Sequence, residues 1–292
     1  MIHYSFPLYR PPAEANNIIL QATLGCSHNN CTFCSMYKSK KHRVRNINEL
    51  IQEIDFLAHH YPDTHKVFLG DGDALSLPTD HLVHLLQYLK HAFPKLSRVS
   101  VYATAQNVLE KNNDELQLLY ENHLSLIYFG IETGNDPLLN KINKGVTSAQ
   151  MIEALNKASA ARIKISATLI LGIGGREFSH EHIEDTAMLI NSTSLNYLST
   201  LQLGLEEGIK ERFFKHFDHF TMLDDWQILD EQKRLLGRLN PSNRIIFRSN
   251  HASNALSLAG TLPKDTSRLL EEITRALSFG ERALIPKCFR SF

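Results

Sequence analysis

Short apolar runs alternate with helical patterns along the first two thirds of the chain, and this alternation most constrains the fold. Strands separated by single helices pair in parallel through right-handed crossovers. A doubly wound sheet and a full or partial (β/α) barrel both fit this order, and hydrophobic periodicity does not separate them. In either architecture, ligands bind at the carboxyl ends of the strands. The six predicted strands are 18–23, 67–69, 99–103, 125–131, 163–171 and 197–203.

The predicted helices lie between these strands and after the last one. Thr79 and Asp80 predict an N-terminal cap for a helix at 81–93. After Gly204 the pattern changes, and 205–239 is expected to be mostly helical, 244–248 a short strand and 266–279 an amphipathic helix. We therefore expect a first part, 1–205, and a C-terminal extension, 206–292, packed on it. The other predicted helices are 47–58, 114–122, 148–160 and 180–190.

Charge and hydropathy limit the classes of partner. The formal net charge of zero argues against a large nucleic-acid surface. The basic run 38–45 is the exception, and it is either a solvated loop face or a contact for an anionic ligand. No apolar run approaches the roughly 20 residues that span a bilayer, and the start of the chain lacks a secretion signal. We expect a soluble, cytoplasmic protein without a membrane partner.

Three of the four cysteines, Cys26, Cys31 and Cys34, lie within nine residues. In a reducing compartment, clustered cysteines indicate metal or redox chemistry. Three thiolates can bind three irons of a cubane cluster and leave the fourth iron open to a substrate or cofactor. Structural zinc prefers four ligands, which His28 or Cys288 would complete, so the spacing alone leaves both metals open. We expect Cys288 to be a plain thiol.

The segment around these cysteines resembles the radical S-adenosylmethionine (radical SAM) superfamily. The usual signature there is C-x3-C-x2-C on the loop after the first strand of a six-stranded partial barrel. Phe33 stands where the family places an aromatic ring near the adenine, and the spacing here departs from the signature as C-x4-C-x2-C. The resemblance implies a [4Fe–4S] cluster on Cys26, Cys31 and Cys34, with S-adenosylmethionine as second cofactor. It also implies an α/β fold, a six-stranded partial (β/α)6 TIM-type barrel with an α-rich C-terminal extension.

The turn after the second strand fits the same resemblance. Gly70, Asp71, Gly72 and Asp73 are similar to a Gly-Gly-Glu-like motif that receives the amino group of the methionine moiety. Glycines let main-chain carbonyls approach a ligand, and a carboxylate can pair with an ammonium. An ordinary Asp-Gly turn is the alternative, because that dipeptide is common in turns.

The fourth strand leads into Glu132 and a block that resembles one branch of the superfamily. That branch includes oxygen-independent coproporphyrinogen oxidase, the tRNA methylthiotransferases and the elongator catalytic subunit. The resemblance implies that Glu132 accepts hydrogen bonds from a ribose or an amine. Lys141 and Lys144, which follow in the same block, are candidates to pair with the cofactor carboxylate, although surface lysines are common.

Two further strand ends carry candidate residues for the cofactor. The resemblance implies adenine contacts at Gly172 and Ile173, and Thr104 is a candidate ribose contact. The run 172–175 also suggests a dinucleotide phosphate loop, but its glycine pattern is incomplete and belongs after a first strand. In the extension, the polar segment 248–254 either meets substrate or satisfies buried backbone.

The resemblance implies an enzyme that receives one electron from a flavodoxin- or ferredoxin-like donor. It then cleaves S-adenosylmethionine to a 5′-deoxyadenosyl radical, which takes a hydrogen atom from a substrate. The neutral charge favours a small-molecule substrate over a nucleic acid. Two alternatives predict different behaviour: a non-catalytic zinc or iron–sulfur protein needs a fourth ligand, and a nucleotide-binding enzyme without a cluster is colourless.

Overall fold

The structure, a computed structural model, describes residues 2–290. Strands and helices alternate through most of it. The strands are β1 (Ile18–Gln21), β2 (Thr23–Leu24), β3 (Arg43–Val44), β4 (Lys66–Gly70), β5 (Arg98–Ala103), β6 (Leu124–Glu132), β7 (Lys164–Leu171), β8 (Tyr197–Gln202), β9 (Ile245–Ser249) and β10 (Leu258–Leu262). The α-helices are α1 (Ile47–His60), α2 (Thr79–Ala92), α3 (Ala105–Glu110), α4 (Asn113–Glu121), α5 (Asp136–Lys141), α6 (Ser148–Ala160), α7 (Ser179–Asn191), α8 (Glu207–Phe214), α9 (Asp225–Arg238) and α10 (Thr266–Phe279).

Two compact units make up the described chain, and the first comprises residues 2–29, 36–129 and 153–165. In it, β1, β4, β5 and β6 pair in parallel in that order, with Leu20 opposite Leu69 and Val101 opposite Ile127. The short strands β2 and β3 form a separate antiparallel ribbon. Because the four strands are parallel, their carboxyl ends lie at one edge, where the polar turns that follow β4 and β5 begin.

Apolar side chains fill the interior of the first unit. Phe68 and Val101 are completely buried on the strands. Helix α2 buries four leucines at spacings of three and four residues, which is one face of an α-helix. Burial of each such leucine contributes about 1.5–3 kcal/mol. The four leucines of α2 are Leu82, Leu85, Leu86 and Leu89.

The second unit comprises residues 30–35, 130–152 and 166–290. Strands β7, β8 and β9 pair in parallel, with Leu169 opposite Thr200 and Leu198 opposite Phe247, and β10 pairs antiparallel with β9. Helix α9 packs against both α7 and α10. Among residues 2–290, no helix combines the length and the apolar character needed to cross a membrane.

The six predicted parallel strands are confirmed as β1 and β4 to β8, although the first ends at Gln21 and resumes as β2. The predicted cap of α2 is wrong, because the helix already begins at Thr79 and no side chain caps it. The Thr79 hydroxyl instead donates to the carboxylate of Glu115 on α4, at 2.7 Å. Strand β10 was not predicted, and the stretch 205–239 is two helices separated by the non-helical residues 215–224.

Candidate metal centre

The loop that carries Cys26 leaves the sheet through the β2–β3 ribbon, in which Thr23 lies opposite Val44. Gly25 has a φ of +70°, in the left-handed region that glycine adopts at least cost. A Cβ at this position would lie 3.2 Å from the amide nitrogen of His42 and 3.3 Å from the carbonyl oxygen of Lys40. A glycine at the strand exit therefore has two physical causes, its backbone angle and the close return of the loop.

Asn29 holds the longer spacing between the first two cysteines. Its φ is +31°, a conformation that asparagine tolerates better than most residues. The carboxamide nitrogen donates to the carbonyl oxygen of Tyr37 at 2.8 Å, and the Lys38 ammonium donates to the carbonyl oxygen of Asn29 at 2.6 Å. These two bonds connect the outgoing and returning arms of the loop. The changed backbone path that the C-x4-C spacing implies is thus stabilised from within the loop.

The carboxylate of Asp71 is completely buried and is bonded to the same loop. Its Oδ2 accepts hydrogen bonds from the amide of Gly25 at 3.1 Å and from Gln21 Nε2 at 3.1 Å. The same oxygen forms an ion pair with the Lys40 ammonium at 2.8 Å. Lys40 also donates to the carbonyl oxygen of Ser5 at 2.6 Å. Asp71 therefore links the turn after β4 to both arms of the cysteine loop.

The basic run 38–45 is neither a uniform solvated face nor an open anion site. Lys40 pairs with Asp71, and Arg45 makes two bonds of 2.9 Å to the carboxylate of Glu53. The side chains of Lys40 and Arg45 are only 6% and 9% exposed. Both side chains are paired with carboxylates inside the protein, so for them neither a solvated loop face nor a contact for an anionic ligand holds.

Asp73 contacts the residue that follows Cys26. Its Oδ1 accepts a hydrogen bond from the Ser27 amide at 2.9 Å, and its Oδ2 is bonded to the Ser27 hydroxyl. Burial raises the pKa of Asp73, and the two bonds from Ser27 oppose that rise. Between the two aspartates, a Cβ on Gly72 would lie 2.7 Å from the Cβ of Cys26. The predicted Gly-Asp-Gly-Asp motif therefore packs directly against the first cysteine.

In the second unit, the segment after α5 is bonded to the part of the loop that carries the other two cysteines. The amide of Thr32 donates to the carbonyl oxygen of Ile142 at 2.9 Å. The carbonyl oxygen of Asn30 accepts from Asn143 Nδ2 at 3.2 Å and from the Arg212 guanidinium at 2.7 Å. Ile142 and Asn143, which follow α5, and Arg212 of the C-terminal extension therefore contact the residues on either side of Cys31.

Glu132 ends β6 with a φ of +61°, and its Oε1 pairs with the Lys144 ammonium at 2.9 Å. The side chains are 10% and 13% exposed, so the pair is largely shielded from water. A Cβ on Gly130 would lie 2.0 Å from that Glu132 oxygen, which explains the glycine. Burial lowers the pKa of Lys144, but Glu132, Cys31 and Cys34 raise it by more, and the net pKa is raised.

The end of β7 is held by a carboxylate from helix α9. Gly172 has a φ of +79°, and its amide donates to Glu231 Oε2 at 2.7 Å. Burial raises the pKa of Glu231 to about 7, although the bond from Gly172 opposes the rise. Ile173 is completely buried. Because the Gly172 amide is already bonded to a carboxylate, it is not available to a phosphate, which disfavours the phosphate-loop alternative at 172–175.

The remaining predicted cofactor contacts are Thr104 and Phe33. Thr104 is the N-cap of α3, and its hydroxyl oxygen accepts from the amide of Asn107 at 3.2 Å. Phe33 is partly exposed. The position of Thr104 after β5 follows the prediction, and its capping function is an addition to it.

The four cysteines differ in exposure. Cys26, Cys31 and Cys34 are partly exposed thiols, and Cys288 is exposed in a short 3-10 helix. Among residues 2–290, no three His, Cys, Asp or Glu side chains converge closely enough to hold a single metal ion. Thiolates that each bind a different iron atom of a cubane cluster do not need to converge in that way. Three cysteines within nine residues of sequence are a donor set that fits such a cluster.

The polar segment 248–254 supports the sheet. Asn254 is 3% exposed, and its carboxamide donates to the carbonyl oxygen of Thr200 and accepts from the amide of Gln202. It also donates to the Ser249 hydroxyl at 2.9 Å. For Asn254, the structure supports the alternative in which this segment satisfies buried backbone.

Sequence reasoning missed several residues that hold the site. Lys40 lies in a basic run, and the sequence does not show which carboxylate it pairs with. Ser27 and Asn29 stand only as spacer residues between Cys26 and Cys31. Glu231 lies 59 residues from Gly172, to which it is bonded. The one usable signal was Asn29, because asparagine in a short loop favours a left-handed conformation.

The sequence pattern of one protein family, the Radical SAM superfamily, matches residues 20–190 of the chain. The chain belongs to the radical SAM superfamily. Radical SAM enzymes use a [4Fe–4S] cluster and S-adenosylmethionine, so the predicted family and cofactors are confirmed. Membership of this superfamily supports the predicted enzyme class over the non-catalytic alternative.

Two sequence relatives match about half to two thirds of the chain. It is 25% identical over 142 residues to the heme chaperone HemW of Bacillus subtilis, which is 48% of this chain and 38% of HemW. It is 23% identical over 195 residues to the threonylcarbamoyladenosine tRNA methylthiotransferase MtaB of Rickettsia prowazekii, 65% of this chain and 46% of MtaB. The chain therefore spans less than half the length of these two relatives.

Solved radical SAM structures share the fold. Coproporphyrinogen III oxidase (HemN) from Escherichia coli matches with a TM-score of 0.56 and 15% identity, over 76% of this chain and 51% of HemN. Methylornithine synthase (PylB) matches with a TM-score of 0.53 and 16% identity, over 76% of this chain and 63% of PylB. The predicted α/β fold of the TIM-barrel type is confirmed at this level.

Proposed function

We propose that this radical SAM enzyme binds its [4Fe–4S] cluster through Cys26, Cys31 and Cys34. The observation that carries this proposal is that residues beside the cysteines are hydrogen-bonded to the turn after β4 in the first unit and to the segment after α5 in the second. Asp73 is bonded to the neighbour of Cys26, and Ile142 is bonded to Thr32, between the other two cysteines. When bound, the cluster supplies the electron that cleaves S-adenosylmethionine to the 5′-deoxyadenosyl radical, which then takes a hydrogen atom from the substrate.

Residues at the strand ends would hold S-adenosylmethionine. Phe33, Gly172 and Ile173 are proposed to contact the adenine, and Thr104 the ribose, since a hydroxyl that accepts one hydrogen bond can still donate its own proton. Glu132 is proposed to accept from the ribose or the amino group. The remaining proposed contacts, for the amino group, are Gly70, Asp71, Gly72 and Asp73.

Main-chain groups of that last segment are the better candidates for the amino group. The carboxylate of Asp73 is bonded to Ser27 through both of its oxygens, and Asp71 is paired with Lys40. A carboxylate that already has these partners would have to give them up to receive an ammonium. Gly72 leaves the main chain close to Cys26 without an intervening side chain.

The substrate is proposed to be a small molecule, because the chain has no net charge to attract a nucleic acid. One relative is a tRNA methylthiotransferase, so a tRNA substrate is the alternative, and activity on tRNA would contradict this proposal. We propose a flavodoxin- or ferredoxin-like protein as the electron donor. We place both proteins in the cytoplasm, because clustered thiols stay reduced there.

We also propose that residues 1–205 form the catalytic part and residues 206–292 the substrate-specific part, since the family match ends at residue 190.

The test is an anaerobic assay on reconstituted protein. The chain is loaded with iron and sulfide, reduced with dithionite and supplied with S-adenosylmethionine, and 5′-deoxyadenosine is measured. We expect product from the wild type and from Cys288→Ala, and loss of both cluster and product in Cys34→Ala. A metal-loaded wild type that yields no 5′-deoxyadenosine under strong reductant would contradict the proposal and favour a non-catalytic metal protein.

A further inference from the structure

Lys144 is a shielded cation beside the cysteine loop. Its ammonium is 2.9 Å from Glu132 Oε1, and its side chain is 13% exposed. The neighbouring residues Ile142 and Asn143 are hydrogen-bonded to the loop at Thr32 and Asn30, on either side of Cys31. The position of Lys144 is therefore determined by two sets of bonds, one to the end of β6 and one to the loop itself.

The electrostatic coupling between Lys144 and the cysteines points the same way. Cys31 and Cys34 both contribute to raising the pKa of Lys144. Such coupling is mutual: a charge that is stabilised by two thiolates stabilises those thiolates equally. In a partly buried site, the effective dielectric constant is lower than in water, and the interaction is correspondingly stronger and less sensitive to salt.

Lys141 provides a comparison within the same block. Its ammonium donates to the carbonyl oxygen of His216 at 3.2 Å and lies over the rings of Phe178 and Phe217. No ion pair involves Lys141 among residues 2–290, and its partners all lie away from the cysteines in sequence. Of the two candidate lysines, Lys144 is therefore the one whose adjacent residues are hydrogen-bonded beside Cys31.

We propose that Lys144 sets the reduction potential of the cluster, because its fixed positive charge favours the reduced state. This inference rests on the proposed function. Reduction by one electron adds a negative charge to the cluster, and a cation held nearby stabilises the more negative state. Net charge and burial are among the properties that tune the potentials of iron–sulfur clusters. Glu132 holds the ammonium in place and prevents it from turning to solvent.

The test is a redox titration of the reconstituted cluster in the absence of S-adenosylmethionine. Dithionite and mediators set the potential, and the reduced cluster is followed by its electron paramagnetic resonance signal. Without S-adenosylmethionine, any contact of Lys144 with that cofactor does not affect the result. We expect Lys144→Gln and Lys144→Met to shift the midpoint to a more negative potential, with Lys144→Arg close to the wild type.

Lys141→Met is the matched control, and its midpoint should equal that of the wild type. A Lys144→Gln cluster with an unchanged midpoint would overturn the inference. So would loss of the cluster in both neutral variants with retention in Lys144→Arg, since the charge would then serve binding and not potential. A wild type that binds no cluster would instead defeat the proposed function, and the two failures are therefore distinguishable.

Discussion

The Oδ1 atom of Asp73 accepts a hydrogen bond from the Ser27 amide at 2.9 Å, and this bond connects the turn after β4 to the residue that follows Cys26. The carboxylate of Asp73 is completely buried and Ser27 is exposed, so the bond ties an exposed loop residue to the interior of the protein. Cys26, the first proposed ligand of the cluster, is therefore positioned by the turn that we propose to contact S-adenosylmethionine. We therefore expect cluster retention and cofactor binding to depend on the same four residues, 70–73.

Asp73→Ala should weaken cluster retention. The substitution removes the two hydrogen bonds that Ser27 donates to this carboxylate, and each such bond contributes about 0.5–1.5 kcal/mol net. We expect a lower iron content per protein after desalting and a lower midpoint in urea. Asp63→Ala is the control, because Asp63 is 78% exposed and pairs only with Lys95 at the surface. Equal iron contents in the two variants would show that Asp73 does not position the loop.

Gly72→Ala should displace Cys26. The new methyl group would lie 2.7 Å from the Cβ of Cys26 and 3.0 Å from its Cα, closer than such contacts allow. We expect reconstitution to fail or to give substoichiometric iron, measured by absorbance and metal analysis. Gly237→Ala is the matched control, because nothing lies within 4 Å of the added Cβ and alanine favours a helix by up to about 1 kcal/mol. Full iron loading in Gly72→Ala would contradict this packing.

Asn29→Ala should destabilise the loop by two mechanisms. It removes the carboxamide bond to Tyr37 and places alanine at a φ of +31°, where a residue with a Cβ costs roughly 1–2 kcal/mol. Asn29→Gly removes only the bond, so it should retain more iron than Asn29→Ala. Iron release to a chelator over time measures the difference, with the exposed Asn113→Ala as control. The opposite order of the Gly and Ala variants would exclude a left-handed conformation at this position.

Glu231 predicts a pH dependence of stability. Its folded-state pKa of about 7 lies above the usual value for a glutamate, because burial disfavours the charged form. The folded state thus binds this proton more tightly than the unfolded state, so the stabilisation is complete below the unfolded pKa and is lost as pH rises through 7. The loss should be on the order of a few kcal/mol.

Urea unfolding of the reconstituted protein between pH 5 and 8 measures this effect. Glu231→Gln carries no titrating group and keeps an oxygen that can accept from Gly172, so its stability should fall less over this range. The difference between wild type and variant is the quantity to compare, because other groups titrate in both. Parallel pH profiles for the two proteins would mean that Glu231 is ionised at neutral pH in the folded state.

Several features of this protein are determined by local sequence. The alternation of apolar runs and helical patterns is a property of consecutive residues, and it predicted all six parallel strands. Residue type and spacing make the three cysteines candidate metal ligands, and Gly25 beside Cys26 is the residue type that a left-handed turn favours. Boundaries were less accurate: Thr79 reads as a cap, but its hydroxyl bonds to Glu115 on another helix.

Contacts between distant residues were decided only by the tertiary structure. Asp71 and Lys40 are 31 residues apart, and Gly172 and Glu231 are 59 apart. A carboxylate looks the same in sequence whether it is exposed or buried, and only folding supplies the desolvation and the partner that give it a role. The cysteine loop thus owes its ligands to the sequence, and its shape to buried groups that the fold brings beside it.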